Sequence, residues 1–430
     1  MGAVSQPGNR PHGVPGLIRR LLPRHPEGQV RIPPGSPGAQ PDVPVQDYSG
    51  YCGHIAKRVV PMDPGLTTLF LAGDVMTGRG VDQILPSPSG PRLHEQYVKD
   101  ARDYVALAEA ANGPIPAPVD PGWPWGAALR ILDEAAPDLR IINLETSVTV
   151  SGDYDRGKGI HYRMHPANIG CLAAARIDAC ALANNHVLDF GMSGLRETLA
   201  VLAAAGLRSA GAGRTAEEAW QPAVLPTPHG RVLLWSVGMA SSGIAAGNAA
   251  GPGRPGVAFL AGPSEASAER VLGQVQAARQ AGDLVVVSVH WGSNWGYEVP
   301  DAHVRFAHRL VDGGVDVVHG HSSHHPRPLE IYRGRPVLYG CGDLVNDYEG
   351  IRGYEQFRDD LRLLYLLTFD ARTHELGGLR MVPLQARRMR LQPAADPDAG
   401  WLLKVLGEAG AGFGTDLAAG ADGSILARLD

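Results

Sequence analysis

Asp283-Leu284-Val285-Val286-Val287-Ser288-Val289-His290 is the clearest strand in this chain of 430 residues. It is β-branched, almost unbroken in apolar character, and stopped by a histidine. A run that is apolar on both alternating faces belongs in a sheet covered on both sides. Working outward, comparable runs recur at Thr67–Asp74, Leu139–Glu145, Ile177–His186, Arg231–Val237, Val315–Val318, Pro336–Gly340, Leu361–Phe369 and Leu379–Leu391. Helical patterns are expected between them: over residues 92–113, after Trp123-Pro124-Trp125-Gly126, over Gly194–Ala205, from an N-cap at Ser264 to Gln280, over Asp301–Val311, and from Trp401 onward. Strands alternating with helices predict an α/β fold.

Composition narrows the function classes. A net charge of −5 gives no bulk attraction to nucleic acid or to an anionic membrane. No apolar run approaches the roughly 20 residues a membrane span needs, and the N-terminus is too polar for a signal peptide, so the expected location is the cytoplasm. The four cysteines (Cys52, Cys171, Cys180, Cys341) lack C-x-x-C spacing and read as buried thiols. Residues 1–64 are rich in proline and glycine without apolar periodicity, and are expected to form a disordered leader. A main domain over 65–372 and a closing strand, helix and tail over 373–430 complete the expected organisation. Nothing in the sequence sets an oligomeric state.

The chemically loaded groups share one placement, just past the carboxyl end of an apolar run. Asp74 follows the first, Asn143 and Glu145 end the second, and Asn184, Asn185 and His186 follow the third. His290 ends the run quoted above, and His319, His321, His324 and His325 cluster behind Val315–Val318. That edge is where open α/β sheets bind ligands. Taken singly, each residue has an ordinary reading: Asp74 as a turn residue, the asparagines as an Asx-turn, His186 as a satisfied core histidine, His325 as loop. Five strand ends delivering such groups together predict a metal centre with Asp74, Glu145, Asn185, His290, His321 and His324 as ligands. The mixed oxygen and nitrogen set suits one or two divalent ions of Mn, Fe or Zn, and the absence of cysteine argues against a structural zinc.

The motifs Gly73-Asp74-Val75-Met76, Asn143-Leu144-Glu145-Thr146, Leu182 to Gly191 around Asn184-Asn185-His186, Val287 to Gly292 around His290, and Gly320-His321-Ser322-Ser323-His324 occur in that order. In this the chain resembles the CapA family, named for poly-γ-glutamate capsule synthesis, within the calcineurin-like metallophosphoesterase superfamily. The resemblance covers roughly residues 66–370. It implies a four-layer α/β/β/α sandwich with two mixed β-sheets. It also implies Asn185 as a metal ligand and His186 as general acid, with Asn184 beside it in the catalytic group. Two departures stand out: Met76 occupies the position of the superfamily's second ligand in Asp-x-His, and the last histidine, His324, comes one residue late.

The expected function is a metal-dependent hydrolase related to poly-γ-glutamate synthesis proteins. It would act on a small or polymeric acidic substrate, γ-glutamyl or phosphoester, with Arg79 and Trp291 binding substrate and Arg163 and Arg327 nearby. The alternative is a non-catalytic polyglutamate-binding or assembly component with a vestigial metal site.

Overall fold

The computed structural model describes residues 65–429; the expected leader lies outside the described residues. Two mixed sheets organise the chain. The first has ten strands, in the order Leu417–Ala419, Ile425–Ala427, Leu376–Ala386, Leu361–Asp370, Leu66–Val75, Leu139–Leu144, Ala179–Ala181 and Arg208–Ala210. Asp343–Val345 and Leu391–Pro393 pair off this path. Its half from Leu66–Val75 to Arg208–Ala210 is parallel, and Leu361–Asp370 runs antiparallel to Leu66–Val75. The second sheet has seven strands, with Gly230–Met239, Asp283–His290, Val317–His321 and Arg335–Leu338 as its parallel core.

Side-chain alternation turns these sheets into layers. Leu284 and Val286 point into a shared core with Val232, Leu234 and Val317 of their own sheet and Leu69, Leu71 and Ile141 of the other. Val285, Val287 and Val289 point the opposite way, onto Val271, Leu272 and Val275 of helix Glu265–Ala278 and Phe306 and Leu310 of helix Asp301–Asp312. On the outer side of the first sheet, the Arg140 guanidinium donates to the carbonyls of Leu132, in helix Ala127–Ala135, and of Ala175. The result is the expected helix–sheet–sheet–helix order. Helix Asp396–Ala409 closes the inter-sheet core with Leu402 and Leu406. Segment 373–430 is built into the first sheet, Leu376–Ala386 pairing with Leu361–Asp370 along its length.

Local chemistry accounts for where the expected elements shift. The helix within 92–113 occupies only Arg102–Asn112, because Arg92 and Asp100 pair across a loop instead. The run Ile177–His186 is strand only at Ala179–Ala181, since the Asn184 side chain rather than a neighbouring strand caps the backbone beyond it. Leu379–Leu391 breaks at Arg388 and Met389, both at positive φ, into Leu376–Ala386 and Leu391–Pro393. Ser264 does cap its helix, accepting from the Ser267 backbone N–H at 3.2 Å.

One irregularity positions the site. Between Ala72 and Asp74 the register of Leu66–Val75 against Leu139–Leu144 slips, so that Ala72 faces Ile142 and Asp74 faces Asn143, leaving Gly73 extra. An extra residue re-aims the side chains beyond it in the strand. Without it, Asp74 would share the outer face with Phe70 and Ala72; with it, Asp74 joins Leu71 on the inner face. Only glycine fits there, because a Cβ on Gly73 would stand 1.9 Å from the Gly342 carbonyl oxygen. Gly73→Ala should therefore destabilise the protein by roughly 1–3 kcal/mol, the usual cost of forced overpacking. Urea denaturation would check this against Gly90→Ala, where nothing lies within 4 Å of the added methyl; equal midpoints for the two variants would refute it.

Candidate metal centre

The alternation that builds the core also aims the site. Ser288 and His290 continue the inward face of Leu284 and Val286, and His319 and His321 continue that of Val317. They meet Asp74 and Asn143 from the other sheet. Ligand atoms of Asp74, His290 and His321 lie within 4.8 Å of one another, and so do those of Asp74, His324 and Asp343. Asp74 thus belongs to two groups at once, the arrangement in which a carboxylate bridges two ions.

The imidazole tautomers are set by their outer partners. The His319 Nε2–H donates to the Ala72 carbonyl at 2.9 Å, leaving His319 Nδ1 as acceptor. The Ser288 hydroxyl donates to that Nδ1 at 3.1 Å, and accepts from His321 Nε2–H at 2.7 Å. The lone pair of His321 Nδ1 is therefore directed at the site. His290 repeats the pattern, its Nε2–H donating to the Asn185 side-chain oxygen at 2.9 Å. The two Nδ1 atoms then stand 2.7 Å apart with a lone pair on each. Two lone pairs at that distance repel, and a cation between them removes the repulsion; the donor set fits a metal ion.

The carboxylates give the same result. Burial, then the nearby Asp343 charge, raises the Asp74 carboxyl from 3.8 to about 7. Burial, then Asp74, raises Glu145 well above the usual carboxylate range. Burial would lower His324, but the Asp343 carboxylate accepting from its Nδ1–H at 2.9 Å outweighs that and raises it. Negative charges crowded in a dry interior lack a cation, which is what a divalent ion supplies. Asp343 also replaces chemistry missing at Met76, which is fully buried and donates only its backbone N–H, to the Val345 carbonyl.

Other expected residues take more specific places. Glu145 lies 3.7 Å from His186 Nε2 and 3.8 Å from His290 Nε2, outside the two tight groups. Asn185, expected as a ligand, spends its side-chain oxygen on orienting His290. His186 donates Nδ1–H to Asp189 at 2.6 Å, turning Nε2 toward Glu145. Lys158 clamps Asp189 from the other side, and burial lowers His186 to about 4 despite that carboxylate. Asn184, expected to be catalytic, is corrected to a positioning role. It donates to the Asn143 side-chain oxygen and the Leu144 carbonyl, and accepts from the backbone N–H groups of His186 and Val187, each at 3.0 Å.

The expected substrate binders are also corrected. Trp291 comes after His290 in the alternation and so faces the helices; it is 1% exposed, stacks on His303 and donates to the Tyr339 carbonyl. Arg79 is buried and committed to Asp347, Glu95 and Tyr104 through Nε, Nη1 and Nη2. Arg163 donates to the Ser151 carbonyl, and Arg327 to Ser293. His325, expected as loop, is fully buried and stacked against Phe357. Sequence reading missed Asp343, Asp189 and Lys158. Asp343 carried a usable signal, since it lies just past the apolar run ending at Gly340; Lys158 sits in a polar loop and carried none.

Comparison with known proteins agrees with this site. Residues 68–348 match the family described as bacterial capsule synthesis protein PGA_cap. A probable polyglutamine synthesis accessory protein of Mycobacterium tuberculosis is 52% identical over 82% of this chain and 93% of its own. The PGA biosynthesis protein CapA of Bacillus subtilis is 28% identical over 71% of this chain and 68% of its own. A solved structure described as a novel phosphatase from Mycoplasma pneumoniae aligns over 74% of this chain and 94% of that one, at 12% identity and a TM-score of 0.41.

The buried imidazoles make a pH prediction. Burial lowers His186, His303, His319 and His325 to about 4, and His290 and His321 well below their ordinary 6.5. A depressed histidine contributes stability that is present above 6.5 and lost as pH falls toward 4. Asp74, Glu145 and His324, raised, act in the opposite direction, but six groups outnumber three. The chelated protein should melt at a lower temperature at pH 5.5 than at pH 7.5. Mn²⁺ should raise the melting temperature at pH 7.5 and lose that effect at pH 5.5, because ligands must be deprotonated. Calorimetry showing a melting temperature that is flat or rising on acidification would contradict this.

Proposed function

The chain belongs to the bacterial capsule synthesis family PGA_cap, and from that premise we propose that it is a metal-dependent hydrolase serving polyglutamate synthesis. Its substrate is a γ-glutamyl or other acidic chain in preference to a plain phosphomonoester. The observation that carries this reading is Asp74 shared between two buried ligand groups, with the His186–Asp189 pair turned toward the same space. A bound divalent ion would supply an activated water near neutral pH.

The protein's own residues divide the remaining work. Asp74, His290, His321, His324 and Asp343 hold the charge. His186, neutral and fixed by Asp189, presents Nε2 to take up a proton and return it to the leaving group. Asn143 links Asp74, Glu145 and Asn184, so ligands and proton carrier move as one unit. The acidic substrate is favoured because Met76 removes a histidine that the phosphoesterase pattern uses, and because Arg79, Arg163 and Arg327 all bond within the protein. Met76 also supports a second reading, an accessory binding component whose metal site does not turn over.

His186→Ala should keep its bound metal while losing around 10²–10⁴-fold in rate, the usual range for general acid–base catalysis. The assay loads the protein with Mn²⁺ and monitors p-nitrophenyl phosphate, bis-p-nitrophenyl phosphate and γ-glutamyl oligomers in parallel. Efficient monoester turnover with the oligomers untouched would reject the acidic substrate. Silence on all three with metal bound would favour the binding role.

A further inference from the structure

Arg362 breaks a rule of protein interiors. Its residue is 1% exposed, yet among the described residues its guanidinium makes no ion pair. Nη1 donates to the backbone carbonyls of Asp359 and Leu361, and Nη2 to the Asn346 side-chain oxygen at 3.0 Å. Nε is buried without a hydrogen-bond partner. A buried charge satisfied only by neutral oxygens is costly, and an anion beside it offsets that cost.

The surroundings provide room for one. Arg362 lines a cavity of about 310 Å³ together with Arg387, Asn346, Tyr348 and Asp359. Arg387 is exposed at its rim and makes no ion pair among the described residues, whereas Arg358 in the same wall is already bound to Asp360 and Asp398. The cavity adjoins the metal centre through two shared side chains. Asn346 accepts from Arg362 and donates to Asp343 at 2.6 Å, and the Tyr348 hydroxyl lies 3.5 Å from His324 Nε2.

Charge identifies the ligand class. The wall carries the guanidinium groups of Arg358, Arg362 and Arg387, and also the carboxylates of Glu349, Glu355, Asp359 and Asp360. A dianionic phosphate would meet those carboxylates unfavourably. A single carboxylate on a chain that also bears N–H donors matches both sets. We infer that this cavity is a substrate subsite that binds a carboxylate of an acidic peptide chain through Arg362 and Arg387, holding the chain beside the Asp343–His324 side of the metal centre. The inference deepens the hydrolase reading and rests on it for the direction in which the chain runs.

The test is calorimetric titration of the full chain, with and without Mn²⁺, using γ-linked tetraglutamate in one arm and inorganic phosphate in another. Tetraglutamate should bind the chelated protein. Arg362→Gln and Arg387→Ala should each weaken it roughly ten- to hundred-fold, the loss of a charged hydrogen bond, without changing metal content. Arg387 is exposed, so its variant carries the test even if Arg362→Gln does not fold. Unchanged affinity in Arg387→Ala, absence of tetraglutamate binding, or phosphate binding that the same substitution abolishes would overturn the subsite. Binding that shows this pattern without hydrolysis would instead overturn the hydrolase reading and leave the subsite intact.

Discussion

The structure depends on one electrostatic constraint: Asp74, Glu145 and Asp343 lie together with His290, His321 and His324 in a dry space at the junction of two sheets. Unpaired, such groups resist burial, because carboxylates taken out of water favour their protonated form and imidazoles their neutral one. The directions at Asp74, Glu145, His290 and His321 are those of a site built around a missing positive charge. The rest of the architecture brings these groups to one point and prevents them from relaxing away from it.

That restraint is visible in the backbone. Gly73 is squeezed against the Gly342 carbonyl so that Asp74 turns inward, and Gly342 itself sits at φ +74 where it passes close to Pro326. Ser322 adopts φ 99, a conformation rare for a residue with a side chain, and from there its N–H reaches Asp74 at 3.1 Å. Strain of this kind persists when its surroundings over-determine it, and it collects where geometry has a task. Arg79 reinforces the same end of the sheet. Buried at φ 48, it ties Asp347, Glu95 and Tyr104 together behind the strand end that carries Asp343.

Much of the fold was legible because period and burial are written in residue type. The run Asp283–His290 matches its strand residue for residue, and the alternation within it separates Ser288 and His290 from Val289 and Trp291. The same alternation would have placed Trp291 in the core and away from substrate. Ligand identity was legible wherever a polar group succeeds an apolar run, as at Asp74, His290 and His321. It was not legible where tertiary contact decides. Lys158 reaches Asp189 from a distant loop, Asn184 is consumed in holding a turn, and whether an arginine is paired or free depends on neighbours far away in sequence. The arginines nearest the motifs turned out to be structural, while Arg362, in the middle of an apolar strand, was left without an anion.

The measurement that bears most directly on this centre is anomalous X-ray diffraction from crystals grown with Mn²⁺. The arrangement predicts anomalous density in contact with Asp74, with His290 and His321 on one side and His324 and Asp343 on the other, and the two Nδ1 atoms spread beyond their present 2.7 Å. Crystals with no anomalous density among these residues, and with His290 and His321 still at hydrogen-bonding distance, would mean that a shared proton satisfies them. The pocket would then be no metal centre.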